Sequence, residues 1–143
     1  MTAQSADIPA ELQTLVDQFI TFCSDEARLL DRVNLKQTRL TIKKGELFLH
    51  LPYVDRNRQK LRLRVVRKQE NWVFSDDGTT LEGSKRSVYE QYLRQVVRWY
   101  GLQTRQGVLT METSPAGFSG KCYTFIRVLR TLDHLVTGTV EAA

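Results

Sequence analysis

The spacing of apolar residues changes period several times along the chain, and each change marks an element. From Ile8 to about Leu30, Leu12, Leu15, Val16, Phe19, Ile20 and Cys23 recur at intervals of three and four, which predicts an amphipathic helix. Pro9 suits its first turn, and Asp7 and Glu11 suit the positive end of its dipole. In "TRLTIKKGELFLHL" the period drops to two, and Lys44-Gly45 reads as a tight hairpin turn because glycine tolerates positive φ. That register places Arg39 opposite His50, Thr41 opposite Phe48 and Lys43 opposite Glu46 on one face. Leu40 with Leu49, and Ile42 with Leu47, fall on the other. "LRLRVVRK" predicts a third strand with Leu61, Leu63 and Val65 inward and Arg62 and Arg64 outward, and "NWVF" predicts a fourth.

The helical period returns in "SKRSVYEQYLRQVVRWYG", with Ser84 or Ser87 as the expected cap and Gly101 as the stop. Val88, Tyr92, Val96 and Tyr100 form its apolar row. "GVLTMET" predicts a short fifth strand. Phe118, Cys122, Phe125, Ile126, Leu129, Leu132 and Val136 predict a last helix, with 138–143 expected as a frayed tail. The predicted architecture is α+β in a single domain over 1–143: an N-terminal helix, a four-stranded antiparallel meander, a helix, a short fifth strand and a C-terminal helix. The last two helices are expected to cover the leucine-rich face of the meander.

Composition changes this picture mainly through where the charge lies. The net charge of +5 conceals an uneven distribution. Residues 1–27 hold five acids and no lysine or arginine, whereas residues 28–68 hold thirteen bases against three acids. A concentrated positive segment of this kind attracts nucleic acid or acidic protein surfaces. No apolar run approaches the roughly 20 residues that span a bilayer, and "MTAQSADIPAEL" lacks the basic start and apolar centre of a secretory signal. The lack of a spanning run leads to an expectation of no membrane association. Cys23 and Cys122 both fall in apolar helical patterns, which suggests two buried thiols in a reducing cytoplasm, with a disulfide between them as the alternative.

Three groups of residues carry candidate chemistry. Asp76 and Asp77 in "WVFSDDGTTLEG" either shape a turn or, with Asp55, supply the carboxylates of a metal-dependent phosphodiesterase. The turn reading is favoured, because Asp-Gly accepts the backbone angles of a tight turn and an aspartate can accept hydrogen bonds from the turn's own amides. The second group is the outward face of the meander, where Arg39, Lys43, Arg62 and Arg64 stand beside Phe48 and His50. Arginines there would contact phosphate while aromatic rings stack on bases. The third is the loop "PYVDRNRQK", which carries Arg56 and Arg58 and sets Asp55 beside Arg56 as a candidate local ion pair. There is no glycine-rich phosphate loop, no Cys/His metal spacing and no nucleophile–base pair, and His134 reads as a dipole contact near the end of the last helix. No cofactor or resident metal is expected.

The succession of "LPYVDRN", "WVFSDDGTTL", a helix ending "RWYGL", then "GVLTMET" and a helix starting near "FSGK" resembles an uncharacterised family of phage and bacterial proteins of unknown function. The likeness spans roughly residues 48–136 and falls on Pro52, Tyr53, Asp55, Arg56, Ser75, Asp76, Asp77, Gly78 and Gly101. It implies a phage or mobile-element setting and no particular activity. The chain departs from the family pattern in the helix after the turn and in its more basic third strand.

Together these features lead to an expectation of a non-catalytic binding module. It would hold an acidic partner, either nucleic acid or a host defence or nuclease protein, through Arg39, Lys43, Phe48, His50, Arg56, Arg58, Arg62 and Arg64. The alternative is a phosphodiesterase or nuclease using Asp55, Asp76 and Asp77.

Overall fold

A computed structural model describes residues 8–24 and 37–142, with side chains through 136. The elements run α1 (Ala10–Ser24), β1 (Arg39–Lys43), β2 (Glu46–Val54), β3 (Lys60–Lys68), β4 (Asn71–Ser75), α2 (Arg86–Tyr100), β5 (Leu102–Arg105), β6 (Val108–Thr113) and α3 (Phe118–Ala142). The expected extension of the first helix toward Leu30 lies outside the described residues, as do the bases at 28, 32 and 36.

The six strands form one antiparallel sheet in the order β1-β2-β3-β4-β6-β5. The hairpin register of β1 and β2 is the one the alternation predicts, with Lys44 and Gly45 both at positive φ (54° and 79°). Where one short strand was expected after α2 there are two. β5 and β6 form a second hairpin across Gln106-Gly107, also at positive φ. β5 carries no alternation to reveal it, because it is an edge strand in which only Leu102 is buried.

The buried face of the sheet is built by Leu40, Leu49, Leu63, Val65, Trp72, Phe74, Leu109 and Met111. α3 packs across β4 and β6, with Phe118 and Phe125 against Phe74 at ring-centroid separations of 5.1 and 6.0 Å. α1 lies beside α3 and reaches β1, while α2 lies on its other side and reaches β5. The cover is therefore made by α1 as well as by the last two helices. Cys23 and Cys122 are both buried thiols in this core. All three helices lie on one side, so no described helix covers the other face of the sheet, an arrangement antiparallel sheets permit.

Two terminal features differ from expectation. α2 starts from Lys85 in an extended conformation with no side-chain cap, because the Ser84 hydroxyl donates to the Leu81 carbonyl at 2.6 Å instead. Gly101 does end the helix, in the left-handed conformation at φ 73° that a β-carbon disfavours. The helical backbone of α3 continues to Ala142, through the segment expected to fray. His134 consequently sits within the helix and not at its last turn. No helix among the described residues is long and apolar enough to cross a membrane.

Candidate functional site

The strand register arranges the outward basic residues in rows. Arg39, His50 and Arg62 are direct partners across β1, β2 and β3, roughly 5 Å apart from strand to strand. Thr41, Phe48, Arg64 and Ser75 form the next row, and Lys43 with Glu46 lies beyond it. Lys60 is in phase with Arg62 and Arg64 and joins the same face at the other end. The period of two extends back to Lys60, so the sequence carried this signal.

Within the rows the side chains have distinct duties. The Thr41 hydroxyl lies 2.7 Å from Nε2 of His50. Burial lowers the pKa of His50, and the charges of Arg39 and Arg62 on either side lower it further. The imidazole is thus a neutral group held between two fixed cations. Phe48 is only 7% exposed, although it points away from the helices. The guanidinium of Arg62 lies over its ring, 4.4 Å from the centroid. Phe48 is therefore a cation-covered floor and leaves no open ring for a base to stack on. Arg64 donates through Nε to Asp77 at 2.8 Å and lies 4.0 Å from Glu46. Arg39, Lys43, Arg58, Lys60 and Arg62 form no ion pair among the described residues.

Arg56 departs from its expected role. Its side chain is 12% exposed and turns inward, where Nη1 contacts Asp133 of α3 at 2.8 Å. The same guanidinium donates to the carbonyls of Thr80 and Glu82, each at 2.7 Å. It ties the β2–β3 loop to the segment after β4 and to α3, and it contributes nothing to the open face. Its partner across space is Asp133 and not the neighbouring Asp55. Nothing local announces Asp133, which is 77 residues away. Asp55 instead accepts from the amides of Asn57 and Gln59 at 2.8 and 3.0 Å, which closes the loop on itself. Arg58 sits at that loop's tip with φ at 61°, exposed.

The paired aspartates have unlike positions. Asp76 is 1% exposed. Its Oδ1 accepts from the amides of Gly78 (2.8 Å) and Leu109 (2.9 Å), and Oδ2 accepts from Thr80 (3.3 Å). Its own amide donates to the Leu109 carbonyl, while its carbonyl accepts from Thr79. The carboxylate thus continues the β4–β6 ladder one residue past Ser75–Thr110 while the backbone turns away. Asp77, at φ 55°, stands outward and is paired with Arg64.

The two motif loops meet at one end of the sheet. There a cleft of about 420 Å³ is bordered by His50, Lys60 and Arg62 on the strands and by Asp55, Asp76 and Asp77 on the loops. All three alternative catalytic residues reach this cleft. Yet Asp55 and Asp76 hold backbone amides, Asp77 holds an arginine, and no group of three or more His, Cys, Asp or Glu among the described residues could hold a metal ion. Cys122 offers no nucleophile, since burial and the neighbouring Cys23 push its thiol well above its ordinary range.

Fold and surface together define a two-layer α+β domain with a helical side and an open basic side. Comparison with family models, curated proteins and solved structures finds no match for the chain.

Proposed function

We propose that the protein is a non-catalytic binding module of a phage or mobile element that holds an acidic partner on the open face of its sheet. The observation that carries this reading is the unpaired set Arg39, Lys43, Lys60 and Arg62 on a face no described helix covers, with neutral His50 between two of them. The partner is nucleic acid or an acidic surface of a host defence or nuclease protein. The covered ring of Phe48 favours contact with phosphates or carboxylates over stacking on unpaired bases. The phage setting rests on the resemblance of the "LPYVDRN" and "SDDG" motifs.

The test is binding of labelled duplex DNA, single-stranded DNA and polyglutamate across a range of salt. Nucleic acid as the partner requires affinity that falls by nearly one power of salt per phosphate neutralised. Binding of polyglutamate alone selects the protein partner. No binding of any probe at low salt removes the proposal.

One observation favours a second reading: Asp55, Asp76 and Asp77 line one cleft. A metal-dependent phosphodiesterase there would show Mg²⁺- or Mn²⁺-dependent cleavage that is lost in Asp76→Asn. Absence of cleavage with either ion, or cleavage unchanged by the substitution, eliminates it.

A further inference from the structure

A second surface lies on the helical side. α2 is weakly buried for a helix that covers a sheet, with only Val96 fully enclosed. At its C-terminal end Trp99 is 70% exposed and Tyr100 45%. Large aromatic rings left in water in this way mark contact surfaces, because their removal from solvent is worth more than that of any other side chain. The ring of Trp99 has company. Tyr92 lies seven residues earlier, two helical turns back on nearly the same face. Between α2 and α3 runs a groove of about 170 Å³ lined by Tyr92, Tyr100, Thr124, Arg127, Val128 and Thr131.

The charge around the groove is one-sided. Among the described residues Arg127 is the only charged one lining it; Arg127 is exposed, lies 5.7 Å from the ring centroid of Tyr123, and has no ion pair with any of them. The single acid of α2, Glu90, is already taken by Arg86 and Arg94 at 3.7 and 3.0 Å. Tryptophan, tyrosine and arginine are the residues that dominate contact energy in protein interfaces.

We propose that this groove docks an acidic, amphipathic segment of a partner protein, with one apolar side chain seated between Tyr92 and Val128 and a flanking carboxylate on Arg127. A nucleic acid would need a run of cations along its backbone, whereas the groove itself offers one. The site lies in the helical layer, away from the open sheet face, so the protein would join two partners.

The chain carries its own reporter. It has two tryptophans, Trp72 wholly buried and Trp99 exposed on the helical face it shares with Tyr92, so a change in the exposed component of emission reads contact at the edge of the groove. The probe is a synthetic peptide with leucine and phenylalanine on one helical face and glutamate on the other. Titration is expected to shift the emission of Trp99 to the blue, and a lysine-for-glutamate version of the peptide is expected not to. By anisotropy of the labelled peptide, Trp99→Ser should weaken binding by about thirtyfold, as an interface anchor does. Arg127→Glu should weaken it by about tenfold, and Arg127→Gln by less. Unchanged emission, equal binding of the lysine version, or a response to single-stranded DNA and not to the peptide would each overturn the proposal. Trp99 is exposed, so its substitution leaves the melting temperature in place and loss of binding is not loss of fold. Arg39→Gln and Lys43→Gln, on the sheet, should leave the peptide-induced shift of Trp99 emission unaltered even where they weaken total peptide binding, which separates this site from the one proposed above.

Discussion

Replacing Asp76 should damage stability, and the size of the loss follows from what its carboxylate holds. Three backbone N–H groups donate to it, two at 2.8–2.9 Å and one at 3.3 Å. The amides of Leu109 and Thr80 belong to buried contacts, while that of Gly78 is partly exposed and water can reach it. Each buried donor left without an acceptor costs about 1–3 kcal/mol. Asp76→Ala orphans two of them and should therefore cost about 3–4 kcal/mol, a large fraction of the 5–15 kcal/mol typical of a domain. Asp76→Asn retains a carbonyl oxygen that can serve Gly78 and Leu109, and turns its amide group toward the donor at Thr80, where the bond is longest. Its cost should be about 1–2 kcal/mol. Urea denaturation followed by far-ultraviolet dichroism measures both, and the alanine variant should melt on the order of 10 °C lower. The reasoning fails if alanine costs less than about 1 kcal/mol, or if asparagine costs as much as alanine, since the second result would make charge and not acceptor geometry the source.

Arg56→Ala should destabilise the fold by about 1–3 kcal/mol, because it removes the guanidinium that joins Asp133 to the carbonyls of Thr80 and Glu82. Arg56→Lys should recover only part of this in the same urea assay, as an ammonium cannot span three acceptors in a fork. His50 has a folded-state pKa below its unfolded value of about 6.5, so the folded state binds this proton less readily. The stability it contributes is complete above that unfolded value and is lost as pH falls through the folded one. Arg39→Gln removes one cause of the depression and should raise the imidazole pKa, read by NMR titration. A pKa that does not move would show that the arginine lies too far from the ring to matter.

The parts of this fold that could be read from sequence are those encoded locally. The β1–β2 register follows from alternation on both sides of Lys44-Gly45, because shifting a strand by one residue would exchange its buried and exposed faces. The turn at Asp76-Asp77-Gly78 is local in the same sense. β5 was illegible because an edge strand with one buried side chain has no period to detect. Arg56 was misplaced for a different reason. Its neighbours in sequence suggest an exposed loop, and only the approach of α3 brings Asp133 to it. Phe48 reads correctly as outward, but whether its ring is open depends on the reach of Arg62 across the strand, which alternation does not encode. The rows of arginine and lysine on the open face needed only the period of two, and Lys60 extends them by the same rule.

The central claim is that the positive charge of the open sheet face engages an acidic partner. It is tested most directly by comparing the salt dependence of DNA binding in the wild type and in a variant carrying Arg39→Gln, Lys43→Gln and Arg62→Gln. If nucleic acid is the partner, the slope of log affinity against log salt should become shallower by about three, nearly one for each cation removed, with secondary structure and melting behaviour retained. For an acidic protein partner the same variant should lose polyglutamate binding. A variant that binds both polyanions as tightly as the wild type, with an unchanged slope, would contradict the account.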